Sequence, residues 1–150
     1  MSPTQLERYL HEQIPLSKTM QVGCISVTQE SVVLRAPLGP NINHHATIFG
    51  GSASALAILA AWSLLHVRLR EAKIACRLVI QRNTMEYQRP IKGTFTAASA
   101  LPEPQRWQAF LRMLERKGTA RASVISELVY AERIAGQFLG EFVALAGDTA

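Results

Sequence analysis

No aspartate occurs before Asp148, and no carboxylate of either kind stands between Gly50 and Arg70. The first absence weighs against a hydratase or dehydratase, which normally sets an Asp/His pair near the start of a helix. Cysteine is almost as scarce. Cys24 and Cys76 each sit in an apolar stretch, form no CxxC pair and cannot build a disulfide framework, so a reducing cytoplasm is the expected compartment. Thiols in such strand-like surroundings pack and do not attack. No run of Lys or Arg and no recognition motif is present, which excludes a nucleic-acid reader. The opening "MSPTQLERYLHEQIP" has charges where an export signal needs its apolar segment. The longest apolar run, Ala53 to Val67, holds about fifteen residues and includes Ser54, Ser63 and His66. A bilayer needs roughly 20, so this segment is expected to be a buried core helix with no membrane insertion. No repeat, linker or low-complexity tract divides the chain, and residues 1–150 are expected to form one domain.

What remains is a globular composition: 48% hydrophobic and 18% charged, enough to bury a core. The excess of +5 is scattered, suiting an anionic partner such as a phosphate-bearing cofactor or an acidic carrier protein. Leu6, Tyr9 and Leu10 have helical spacing, with Pro15 beyond that helix's end. "MQVGCISVTQESVVLRAPL" reads as two strands turning near Gln29–Ser31. After the apolar helix come "CRLVIQRNTMEYQRPI" and "GTFTAASAL" as strands, the second closed by "LPEP". Trp107, Phe110, Leu111 and Leu114 then mark an amphipathic helix stopped by Gly118, with both aromatics read as packing. "TARASVISELVYA" and "RIAGQFLGEFVALA" end the chain as strands, with Ile134, Phe138 and Phe142 on one alternating face. A helix apolar nearly all round needs a sheet on one side and a cover on the other. The expectation is one curved antiparallel sheet around it, with a second subunit as the cover.

The chemistry concentrates in "NINHHATIFGGSASALAILAAWSLLHV", residues 41 to 67. Taken alone, Gly50–Gly51–Ser52 reads first as a tight turn capped by Ser52. A second reading is a backbone oxyanion site, since the first amides of a helix lack internal partners and glycine admits a close carbonyl. Adjacent histidines such as His44 and His45 rarely reach one ion together, and His11, His66, Cys24 and Cys76 are distant in sequence, so no metal is expected.

Across Leu6 to Leu145 the chain resembles the hotdog-fold acyl thioesterases of the YiiD C-terminal-domain type. The resemblance rests on "NINHHATIFGGS", on "MEYQRPIKG", and on "FLRMLERKGTARASVISELVY" followed by "GQFLGEFVAL". It implies an α+β hotdog fold, with one curved antiparallel sheet wrapped around a long apolar central helix and an extra amphipathic helix between the fourth and fifth strands. It also implies a homodimer or dimer of dimers with sites between protomers. The implied reaction is hydrolysis of an acyl group carried on coenzyme A or acyl carrier protein, with the thioester as substrate and no bound cofactor. In the phenylacetyl-CoA branch of hotdog enzymes an Asn stands six residues before a His-Gly-Gly, and an acid lies nine residues past that His. Here Asn43 keeps the Asn position, Phe49 replaces the His and Ile58 replaces the acid. The catalytic candidates are therefore Asn43, His44, His45, Gly50, Gly51 and Ser52, with His45 the favoured base and Thr47 able to hold a water. Phe49, Asn83, Thr84, Glu86, Arg89 and Lys92 are the candidates for binding substrate, Glu86 also as a base donated across a dimer. The missing helix acid keeps open a non-catalytic module that binds acyl-CoA or acyl carrier protein.

Overall fold

The computed structural model describes residues 1–147; Asp148 lies outside them. Helix α1 (Pro3–Gln13) starts with a capping box in which Ser2 and Gln5 exchange side-chain-to-backbone bonds. It buries Leu6 and Leu10, and His11 Nε2 donates to the Val22 carbonyl at 2.7 Å. Pro15 does end α1, but it also opens a short second helix, α2 (Pro15–Thr19), because its fixed φ suits a first helical turn.

Strands β1 (Gly23–Val27) and β2 (Val32–Ala36) form the expected hairpin, with Val32, Leu34 and Ala36 turned inward. Helix α3 (Gly50–Glu71) follows, then β3 (Cys76–Tyr87), β4 (Phe95–Ala100), α4 (Trp107–Lys117), β5 (Thr119–Tyr130) and β6 (Arg133–Ala146). All six strands join one antiparallel sheet in the order β1-β2-β4-β5-β6-β3. Helix α3 lies along its inner face. Leu56, Ala57, Ala60, Ala61, Leu64 and Leu65 are fully buried there, each leucine contributing about 2 kcal/mol by burial. The alanines let helix and sheet approach closely enough for Ser126 Oγ to donate to the Ala57 carbonyl at 2.8 Å.

At 22 residues α3 is longer than its apolar run suggested. Its length and composition would suit a membrane span, but most of that window is buried inside the fold. Helix α4 ends at Gly118, whose φ of +73° is the left-handed cap glycine supplies cheaply. Trp107 and Phe110 are buried with their rings 5.0 Å apart, and the Arg68 guanidinium lies over Trp107.

Two bulges correct the simple alternation. Ile134 is 41% exposed, while Phe138 and Phe142 are buried. The register passes from Leu128↔Gly136 to Val129↔Ile134, leaving Ala135 as an extra residue and turning Ile134 outward. In β3 the register passes from Ile80↔Phe142 to Arg82↔Glu141, leaving Gln81 over.

Candidate active site

The amino end of α3 is built from the loop before it. Asn43 Oδ1 accepts from the backbone N–H of His45 at 2.8 Å and of Thr47 at 3.1 Å. Its Nδ2 donates to Thr47 Oγ1 at 2.9 Å and to the Ile48 carbonyl at 3.5 Å. Both ends of this amide are thus engaged in closing the loop, and Ala46 at φ +61° makes the tight turn inside it. The chain then enters the helix through Phe49, whose N–H donates to the Asn41 carbonyl. The Phe49 carbonyl accepts from Ser52 and Ala53 at 2.9 and 3.1 Å. Ser52's amide is therefore used. Among the described residues the backbone N–H groups of Gly50 and Gly51 have no such partner, and they sit at the positive end of the helix dipole.

The glycines also make room. A Cβ on Gly51 would come within 2.3 Å of the Phe49 ring, which lies across it. A Cβ on Gly50 would meet only the edge of Tyr87, at 3.5 Å. Beside Gly50 opens a cavity of about 360 Å³ with Ile48, Ala53, Ile91 and Leu128 as apolar wall. Its polar side chains are Tyr87, Gln88 and Arg89. The Ala135 bulge fixes that rim, because its carbonyl accepts from the N–H groups of both Gln88 and Arg89.

Strand β3 is the free edge of the sheet beyond β6. Residues opposite one another across β3 and β6 share a face. Met85 opposes buried Phe138, so Asn83, Met85 and Tyr87 belong to the face that carries α3. Thr84 and Glu86, opposite Leu139 and Gln137, stand on the other face. Glu86 Oε2 accepts from Gln88 Nε2 at 3.4 Å.

A fold with this sheet order and a buried central helix has known relatives. The family model described as "Putative thioesterase (yiiD_Cterm)" matches residues 3–146. The chain belongs to this family. Among solved structures, protein OLEI01261 from Chlorobaculum tepidum is 28% identical, with a TM-score of 0.90 over 97% of this chain and 98% of that one. A protein from Shewanella oneidensis described as a putative thioesterase is 25% identical, with a TM-score of 0.86 over 95% and 96%. The PaaI protein of the Escherichia coli phenylacetic acid degradation operon shares 18% identity and a TM-score of 0.72 over 98% and 95%, a likeness of fold. The architecture is that of the hotdog thioesterases, and the chemistry of the family is thioester hydrolysis in general.

Within this thioesterase-family chain the expected site residues fall into three groups. Asn43, Phe49, Gly50, Gly51 and Ser52 come together at the start of α3. His44 and His45 lie exposed on the loop, their rings 3.8 Å apart and tilted against each other, and neither lines the cavity. Arg89 stands at the cavity rim, Lys92 is exposed just beyond it, and Asn83, Thr84 and Glu86 are exposed along the β3 edge. Tyr87, which was not among those expectations, has its ring edge beside Gly50. Its signal was there in "MEYQRPIKG", but only the register shows which way it faces.

The thiols are outside this chemistry. Burial, reinforced by Glu7, pushes Cys24 up to about 11, and burial also raises Cys76. Among the described residues no three His, Cys, Asp or Glu side chains gather as a metal-binding group.

Proposed function

We propose that this protein hydrolyses an acyl thioester of coenzyme A or acyl carrier protein at the amino end of α3. The observation that carries the reading is the pair of unpartnered amides, Gly50 and Gly51, at the positive end of a buried helix, with Gly50 lining an apolar-walled cavity. Water adds to the thioester carbonyl carbon, and the π pair moves onto the carbonyl oxygen, where the N–H of Gly50, the glycine that lines the cavity, holds it. Each well-aimed donor of this kind contributes about 3 kcal/mol in the transition state. Collapse restores the carbonyl and expels the thiolate. His45 on the adjoining loop, or a residue of a second copy, takes the water's proton, which then passes to the sulfur. Arg89 and Lys92 suit the anionic groups of coenzyme A or an acidic carrier protein.

A second copy of the chain completes the site in this reading. The unpaired edge of β3 and the half-buried Ala55, Ile58 and Trp62 along α3 are the surfaces it would cover. A cytoplasmic setting accords with two free thiols.

The absence of a helix carboxylate favours one rival, a module that binds acyl thioesters without turning them over. Purified protein assayed against acyl-CoAs of several chain lengths separates the two. Turnover above buffer is expected, and Gly51→Val should abolish it by filling the carbonyl's approach. The swung-aside Phe49 ring is exposed, so folding should survive. Tight acyl-CoA binding with no turnover at any chain length would favour the binding module instead.

A further inference from the structure

Tyr87 and Phe49 are 60% and 57% exposed, an unusual state for large rings, and each borders one of the paired glycines, Tyr87 at Gly50 and Phe49 at Gly51. Phe49 belongs to the turn itself. Tyr87 reaches the spot from a separate element, the last residue of the edge strand, so its position needs its own account.

Three features bring it there. The Gln81 bulge shifts the parity of β3, putting Asn83, Met85 and Tyr87 on the face that carries Leu78 and Ile80. Opposite Tyr87 is Gly136, which offers no side chain for the ring to lean on. Immediately beyond, both Gln88 and Arg89 are tied to the Ala135 carbonyl, which ends the strand and holds Tyr87 at the cavity rim. The ring presents its edge to Gly50. Its Cε1, Cζ and Oη lie 3.5, 3.8 and 3.9 Å from where a Cβ on Gly50 would stand. The phenol oxygen thus borders the space that glycine leaves open.

The other polar groups near that space are occupied, outside the cavity wall or, like the rim guanidinium of Arg89, suited to the anionic part of the substrate. Asn43 is consumed by its loop, Gln88 donates to Glu86, and His44 and His45 are not in the cavity wall. Gly50 supplies one N–H, and Gly51, with the Phe49 ring across it, does not line the cavity. A carbonyl oxygen set against it has two lone pairs, and a second donor is needed to fill both as charge builds there.

We propose that Tyr87 is a further catalytic residue of the thioester site. Its O–H donates a hydrogen bond to the substrate carbonyl oxygen, beside the Gly50 amide, and keeps its proton throughout. The oxygen gains the π pair when water adds and returns it when the thiolate leaves, so Tyr87 strengthens one bond and transfers nothing. This rests on the thioester reading above, but it can be tested without turnover.

The experiment compares two stable acyl-CoA analogues, one with a ketone and one with a plain methylene where the thioester carbonyl stands. Their dissociation constants are measured with the wild type and with Tyr87→Phe, which keeps the ring contact with Gly50. Wild type should prefer the ketone by roughly tenfold or more, and Tyr87→Phe should lose most of that preference while binding the methylene analogue equally well. A ketone preference unchanged in Tyr87→Phe, or absent from the wild type, overturns the assignment. In turnover, Tyr87→Phe should lower kcat by about 10²-fold with little change in KM. A Tyr87-dependent ketone preference without any hydrolysis would keep the carbonyl assignment and reject the hydrolase.

Discussion

Asn43 and His45 are neighbours in a loop with different duties, and substitution should tell them apart. The Asn43 side chain satisfies two backbone N–H groups and reaches two acceptors in return. Asn43→Ala orphans those amides, so the loop should lose its shape at about 1–3 kcal/mol, and kcat should fall more than about tenfold through misplacement of its neighbours. His45 makes no such side-chain bond in the described loop; its backbone does the anchoring. His45→Ala should therefore lower kcat by more than about tenfold with the melting temperature unchanged. Paired kinetics and thermal melts check both. Unchanged rates in the two variants would remove the loop from the chemistry.

Along α3 the half-buried His66 shows what the helix surroundings do to a titratable group. Its ring is stacked against both Tyr9 and Trp62, with centroids 4.6 Å from each, and those two rings are themselves 6.3 Å apart. Burial, with Arg70 nearby, lowers its pKa from 6.5 to about 4. Between those values the unfolded chain binds the proton and the folded chain does not, so stability rises with pH. The contribution is complete above pH 6.5 and is lost as pH falls through about 4. Allowing for its partial exposure, it amounts to about 2 kcal/mol. Denaturant titrations at pH 7 and pH 4.5 should show this loss. His66→Phe, which keeps a stacked ring, should show a smaller one, and equal losses in the two proteins would contradict it.

For the whole molecule the decisive feature is the twelve-residue β3, bonded to β6 on one side and unpaired on the other. A long free edge is a template for another strand unless something covers it. Its exposed Tyr87, together with half-buried Trp62 on α3, adds apolar area on the α3 face of that edge. In a symmetric pair the same edge would meet itself. Sedimentation at micromolar concentration should give twice the chain mass or a multiple of it. A stable, active monomer would show that one chain holds a complete site.

Much of this was readable from residue order. The period of 3.6 in "QRWQAFLRMLERKG", the paired glycines before an apolar run, and the alternation of Val32, Leu34 and Ala36 are local patterns, and local patterns survive as helices, turns and strands. The stretch "GGSASALAILAAWSLLHV" by itself determined that one helix would be buried, because no face of it is polar enough to stay wet. What the order of residues could not decide is which way side chains point after a bulge. One extra residue at Gln81 puts Tyr87 at the glycines and Glu86 on the opposite face, and one at Ala135 turns Ile134 outward. A side-chain period of two inverts with a single-residue slip, and only the pairing of β6 with its neighbours fixes where the slip occurs. The same holds for Ser52, whose amide is spent on Phe49, and for Asn43, whose amide is spent on its loop. Hydrogen-bond partners belong to three-dimensional proximity, and tertiary structure alone assigns them.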